Sequence, residues 1–258
     1  MPNWQRFGWT WDQLGRKNPL GAILTVDGKV ADWNIGEFLA TGRIDVGRFM
    51  PDLERLSPST PHTRLLDFGC GVGRVTRVFA RHFDEVVGVD VAPSMIEWAR
   101  SLHADCDRCT FVLNRAPDLK CFPSESFSVV YSRIVLQHIR PAIVEGYIPE
   151  LIRVLQPGGV LMFQLPEQMS VDSRRIFEEA PVVGPLKRRL PKWLVLAWRR
   201  LKYALLTTSS GAQIEMFGIA REDVEALIRG AGGRVLEAKP DNSHGPDGHG
   251  FEYWVTKP

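Results

Sequence analysis

The chain has 258 residues, 44% hydrophobic and 24% charged, which excludes a disordered, collagen-like or disulfide-stapled protein and suits one large α/β domain with at most a small appendage. Thirty-two Lys and Arg against 30 Asp and Glu leave a net charge of +2, too balanced to make a nucleic acid an obligatory partner. Four cysteines, an N-terminus without an apolar leader and no apolar run near the roughly 20 residues of a membrane span point to a cytoplasmic protein without a transmembrane segment.

Residues 1–60 are expected to be a helical and looped N-terminal extension carrying Trp4, Trp9, Trp11 and Trp33. From Arg64 the chain alternates short β-rich runs with helical stretches. Arg64-Leu65-Leu66-Asp67-Phe68 is a strand ending in glycines, followed by a helix over 74–82. Glu85 to Asp90 is the second strand, and Pro93 opens a helix through Met95, Ile96 and Ala99. Strands over 110–113 and 127–131 come next, then a helix over 141–155 with Ile148, Leu151, Ile152 and Leu155 at helical spacing. Pro157-Gly158-Gly159 turns the chain into a fifth strand over 160–163. A helix over 221–231 and strands over 234–237 and 251–256 finish the run. Strands alternating with helices indicate a parallel sheet covered on both faces.

Residues 167–217 interrupt this alternation and form a helical insertion after strand five. With 1–60 they hold six of the eight tryptophans, residues suited either to walling a ligand pocket or to sealing the additions onto the core. Within the insertion, residues 186–206 carry seven basic and no acidic side chains, with Trp193, Trp198 and Leu201 on one side of a helix. Such a helix serves as a lid over a pocket or rests on an anionic membrane.

The informative stretch is Asp67-Phe68-Gly69-Cys70-Gly71-Val72-Gly73-Arg74: a strand, an acid, three alternate glycines and a helix start. Glycines let the backbone approach a ligand closely, and a helix start offers unpaired N–H groups. Asp90, about twenty residues on, ends the second strand, where a carboxylate accepts both hydroxyls of a ribose. A dinucleotide fold wants its third glycine at position 74, where Arg74 stands, and Asp67 would repel a pyrophosphate while welcoming an ammonium group. A dinucleotide-dependent oxidoreductase is therefore the weaker reading.

On these residues, together with Leu119 to Phe127 and Leu155-Gln156-Pro157-Gly158-Gly159, residues 60–258 resemble the class I S-adenosylmethionine-dependent methyltransferases of small-molecule type. The resemblance implies a Rossmann-like, doubly wound seven-stranded sheet in the order 3-2-1-4-5-7-6 with the last strand antiparallel. It divides the chain into a helical cap (1–60) and a methyltransferase domain (61–258), with 167–217 as lid. The implied cofactor is S-adenosyl-L-methionine, and the implied activity is methyl transfer to a small-molecule, lipid-linked or saccharide-linked acceptor. By the same resemblance Gly69, Cys70, Gly71 and Gly73 lie along the methionine moiety, Asp67 near its amino group and Asp90 on the ribose. Val91 and Met95 flank the adenine, Asn114-Arg115-Ala116 bound its edge, and Ser132 and Gln137 approach the sulfonium end.

His138, just after strand four, is the candidate general base, with turn-capping or substrate binding as its other reading. Trp33, Phe38, Trp198 and His244 are candidates for contact with the acceptor. Cys106 and Cys109 have the spacing of half a zinc knuckle with His103 nearby, yet no second pair completes four ligands, so no metal is expected. The segment after strand four, Tyr131-Ser132-Arg133-Ile134, lacks the Asn-Pro-Pro-aromatic motif of base aminomethylases. A cofactor-binding module without transfer activity is the remaining alternative.

Overall fold

The computed structural model describes residues 3–26, 29–30, 32–169, 175–176, 213–241 and 248–258. Seven strands pair into one sheet: β1 (Arg64–Phe68), β2 (Glu85–Asp90), β3 (Cys109–Leu113), β4 (Phe127–Ser132), β5 (Leu155–Met169), β6 (Arg234–Asp241) and β7 (Gly248–Thr256). Their order is β3-β2-β1-β4-β5-β7-β6. β7 is antiparallel to both neighbours and the other pairings are parallel, the arrangement expected from the sequence.

Side chains alternate across this sheet with the period of two that a pleated strand imposes. Leu66, Val87, Val130 and Phe163 face one core, and Leu65, Val86, Val129 and Met162 face the other. The first core is closed by α6 (Pro141–Val154) and α7 (Arg221–Gly230) through Tyr147, Ile148, Leu151, Val224 and Ile228. The second is closed from the N-terminal region. After α1 (Asn3–Lys17) and α2 (Pro19–Ile23), α3 (Ile35–Leu56) is capped by the Asn34 side chain and buries Val46, Phe49, Met50 and Leu53 against the sheet. Phe49 stacks on Trp254 at 5.0 Å and meets Phe79 and Tyr131 edge-on. The C-terminal half of α3 is thus a covering layer of the sheet, where the sequence reading had only an extension.

β6 and β7 run longer than the sequence expectation, to 234–241 and 248–256, and two further elements differ for a visible reason. The helix after β1 is reduced to α4 (Thr76–Phe79), because Gly69, Gly71 and Gly73 all take positive φ and residues 71–75 coil as turns. β5 begins at Leu155: Phe127 pairs with Leu155 and Val129 with Val160, so the Pro-Gly-Gly turn is looped out of a continuous strand. α5 (Pro93–Leu102) starts with proline at a position where no N–H is needed. Of the 167–217 insertion, only a short pairing of Arg175–Ile176 with Gln213–Ile214 and the flanking residues are described. The basic amphipathic stretch 186–206, with Trp193 and Trp198, and His244 lie outside the described residues.

Candidate active site

The parallel register brings the carboxyl ends of β1, β2 and β4 side by side, and a cavity opens above them. The loop leaving β1 forms its floor. Gly69 and Cys70 both donate their N–H to the Val89 carbonyl, at 2.8 and 3.1 Å, which folds the loop back on β2. Gly69 has φ 77°, and the Val135 side chain occupies the space a Cβ would need. Gly71 has φ 54°, and a Cβ there would come within 2.7 Å of the Ile23 methyl. Both glycines line the cavity, and only residues without a side chain leave this cradle open.

Asp90, at the end of β2, stands on the same wall. Its carboxylate accepts the N–H of Gly71 and of Ala92, each at 2.9 Å, so the acid holds the glycine loop while facing the cavity. Burial lifts its pKa above the ordinary carboxylate value against the pull of these bonds. Val91 and Met95 continue the wall as apolar surface. A backbone cradle, a carboxylate and apolar sides beyond it fit an adenosine-bearing group with an amino-acid arm.

Asp67 sits one layer deeper. It is buried off the cavity wall and accepts the Thr76 hydroxyl at 2.5 Å; burial, moderated by that bond and by Arg74, pushes its pKa up to about 7. Cys70 is buried against Gly88, and burial raises its thiol pKa well above the usual range. Gly73 packs under the His103 and Phe111 rings and does not line the cavity.

Of the residues expected to bound an adenine, Asn114 reaches the wall, yet its amide is engaged in its own loop. It donates to the Asp118 carbonyl at 2.6 Å and accepts the Ala116 N–H at 3.1 Å. Arg115 and Ala116 contribute carbonyls to Trp4 Nε1 (2.8 Å) and the Tyr147 hydroxyl (2.9 Å) and stay off the wall. The Trp4 bond attaches α1, whose Trp4, Phe7 and Trp11 close one side of the cavity. Trp4 and Phe7 stack at 5.1 Å, and Trp11 meets the His138 ring edge-on at 5.3 Å. The spacing 4, 7, 11 is one helix face, a signal present in the sequence although none of the three is among the candidate acceptor contacts.

Two residues expected to contact the acceptor turn inward instead. Phe38 is fully buried with Leu14, Ala22, Val72 and Met95, and Trp33 packs on it while donating its indole N–H to the Leu24 carbonyl at 2.9 Å. Both support the cavity floor from behind and neither forms its surface. Ser132 is also buried off the wall, since strand alternation carries it into the sheet; its hydroxyl has no hydrogen-bond partner among the described residues.

Past β4, Ile134 adopts φ 58°, a left-handed conformation that is rare for a β-branched residue. Its N–H donates to Gln164 Oε1 on β5 at 3.0 Å. That bond orients the Gln164 amide, whose Nε2 donates to Gln137 Oε1 at 3.2 Å. The Gln137 Nε2 therefore donates to His138 Nε2 at 3.3 Å, and His138 Nδ1 carries the proton it donates to the Glu215 carbonyl at 3.2 Å. Gln137 acts behind His138, off the cavity wall, while His138 is on it. These contacts orient the His138 ring, with Nδ1 toward the Glu215 carbonyl and Nε2 beside the Gln137 amide. Phe217 N–H on the Gln137 carbonyl, at 2.7 Å, ties the exit of the insertion to the same loop.

Cys106 and Cys109 lie with their sulfurs 2.6 Å apart, and the nearby His103 bonds the Val72 carbonyl at 3.0 Å. No group of three or more His, Cys, Asp or Glu suited to a metal occurs among the described residues.

A model of a methyltransferase domain matches residues 66–163. The chain is 32% identical over 165 residues to a trans-aconitate 2-methyltransferase of Methylobacterium radiotolerans, spanning 60% of this chain and 58% of that protein. It is 29% identical over 170 residues to the 2-methyl-6-phytyl-1,4-hydroquinone methyltransferase of Synechocystis sp., spanning 64% of this chain and 51% of that one. The matches therefore cover little more than half the length of these relatives. The structure of magnesium protoporphyrin IX methyltransferase from Synechocystis, with bound S-adenosylhomocysteine, shares the fold at a TM-score of 0.54 and 14% identity, covering 88% of this chain and 90% of that chain.

Proposed function

Because the chain belongs to the class I S-adenosylmethionine-dependent methyltransferases, we propose that it transfers a methyl group from S-adenosylmethionine to a small-molecule, lipid-linked or saccharide-linked acceptor. The observation that carries this reading is one cavity with Gly69, Gly71 and Asp90 on one wall and His138 on another. In the proposal the glycine backbone receives the amino-acid arm of the cofactor, Asp90 its ribose, and Val91 and Met95 its adenine. Asp67 sets the charge beneath the amino group. When bound, S-adenosylmethionine supplies a methyl carbon already activated by a sulfonium charge, so the protein's task is alignment and exclusion of water. Trp4, Phe7 and Trp11 supply the exclusion, and His138, once its Nε2 is released from the Gln137 amide, takes a proton from an acceptor that must lose one.

In the same proposal α1, α2 and the start of α3 act as a cap over residues 61–258, with 167–217 as a lid. The names of the two curated relatives support an acceptor of low molecular weight. No helix among the described residues is long and apolar enough to cross a membrane, and we place the protein in the cytoplasm. Segment 186–206 is assigned to the lid; sedimentation of the protein with anionic liposomes would reassign it to a membrane surface.

The test is thermal unfolding with S-adenosylmethionine, S-adenosylhomocysteine, NAD and NADP in parallel. A ligand at 100 times its dissociation constant adds about 2.7 kcal/mol, which raises the midpoint by roughly 5–10 °C at this size. A shift with the adenosylmethionine pair alone is expected, and a shift only with a dinucleotide overturns the reading. Methyl transfer to a screened acceptor then separates an enzyme from a silent binding module.

A further inference from the structure

We propose that Arg74 and Arg133, braced by Asp45, form a carboxylate-binding site in the cavity, an inference that rests on the methyltransferase reading of that cavity. Asp45 projects from α3 and takes both guanidinium groups at once: Arg74 Nη2 at 2.6 Å and Arg133 Nη1 at 3.2 Å. Arg74 follows the glycine loop and Arg133 follows β4, so the two cations reach the cavity from its two chemically decisive elements, and both line it. Arg74 has a further acceptor in the Thr41 hydroxyl at 3.2 Å.

Among the described residues the two largely buried guanidinium groups share Asp45 as their ion-pair partner, which leaves N–H donors of each beyond that pair. The Nε of Arg133 is shielded from solvent and has no hydrogen-bond partner among the described residues. Asp241 and Glu252 bias Arg133 from a second hollow that it also borders, but neither forms an ion pair with it among the described residues. A planar carboxylate meets both needs, because a guanidinium binds it in bidentate fashion with directed N–H donors. Asp45 then acts as a positioning residue that keeps the two side chains from turning into the anion-free part of the cavity. The carboxylate has two possible sources, the amino-acid arm of the cofactor or an acidic acceptor.

Calorimetric titration separates them, using Arg133→Gln and the charge-conserving Arg133→Lys, both checked for an intact folding transition; Arg74 keeps Asp45 paired in each. The probes are S-adenosylhomocysteine, its decarboxylated analogue that keeps the amine, and trans-aconitate added to the S-adenosylhomocysteine complex. For a cofactor carboxylate, the wild type prefers S-adenosylhomocysteine over the analogue by at least tenfold, Arg133→Gln removes the preference and Arg133→Lys retains part of it. For an acceptor carboxylate, the two nucleosides bind alike in every variant, and trans-aconitate binding falls at least tenfold in Arg133→Gln. The site is overturned if both nucleosides weaken equally in the variants, or if no preference exists and trans-aconitate is unbound or unaffected. A wild type that binds neither nucleoside would instead sink the methyltransferase reading itself.

Discussion

The side chain of Gln164, on β5, accepts the backbone N–H of Ile134, the residue that turns the chain away from the end of β4. Gln164 is fully buried, and Ile134 holds a left-handed conformation that costs on the order of 1–3 kcal/mol and persists only where surroundings enforce it. The neighbouring strand therefore enforces the bend of the loop after β4 through one amide. Replacing Gln164 by Leu leaves the Ile134 N–H buried without an acceptor, a loss of about 1–3 kcal/mol. The unfolding midpoint should drop by roughly 3–10 °C in calorimetry, and an unchanged midpoint would show that the loop holds its shape without Gln164.

The same chain of bonds ends on His138, and this yields a kinetic expectation. With an identified acceptor that must lose a proton, His138→Gln should lower kcat by about 10²-fold or more, the usual contribution of a positioned base. Affinity for S-adenosylhomocysteine should stay within about threefold if His138 serves the acceptor as proposed. Near-normal turnover in the variant would reduce His138 to a binding or turn-capping residue.

These two residues also mark the boundary of what the sequence made legible. Strands β1 and β2, the glycine loop and Asp90 were readable because each is announced locally: an apolar run, a glycine spacing, an acid at a strand end. The bonds that define the rest join residues far apart in the chain. Gln164 and Ile134 are 30 positions apart, and Arg133 and Asp45 are 88 apart. No local pattern encodes such a pair. Trp33 and Phe38 illustrate the related difficulty of facing: aromatic content pointed to a pocket wall, and helix packing turned both inward. Trp4 and Trp11 have the same composition but lie on the face of α1 that meets the cavity.

Asp67 carries a pH signature. Its pKa, pushed up to about 7 by burial, exceeds the unfolded value of about 3.9. The protonated acid is thus favoured by folding: the stability it contributes is full below about pH 4 and is lost as pH rises through about 7. With the cofactor ammonium placed above it as proposed, the carboxylate is favoured, so binding below pH 7 should expel a proton. Affinity for S-adenosylhomocysteine should rise between pH 6 and 8, by up to about tenfold per unit on the acid side. Asp67→Asn should flatten this slope and raise the unfolding midpoint of the ligand-free protein at pH 8. Calorimetric titration in two buffers of different ionisation enthalpy reads the proton directly, and identical pH slopes in wild type and variant would detach Asp67 from the cofactor.

The N-terminal region divides in two at α3, and truncation should expose the division. Phe49 is buried among Phe79, Tyr131 and Trp254 on the sheet face, so Phe49→Ala should cost about 3–5 kcal/mol as a large core side chain is lost. That is a large share of the stability of an ordinary domain. Removing residues 1–60 takes away the whole covering layer and should leave an aggregating chain without a cooperative transition. Removing only residues 1–33 keeps α3 on the sheet and deletes Trp4, Phe7, Trp11 and Ile23 from the cavity. The shorter truncation should unfold cooperatively yet bind S-adenosylhomocysteine at least tenfold more weakly, because the wall and the cover of the glycine cradle are gone. Full affinity after that truncation would mean that α1 guards the acceptor alone. A loss of cooperative unfolding would make α1 part of the folding unit, and the cap would then begin no earlier than the insertion after β5.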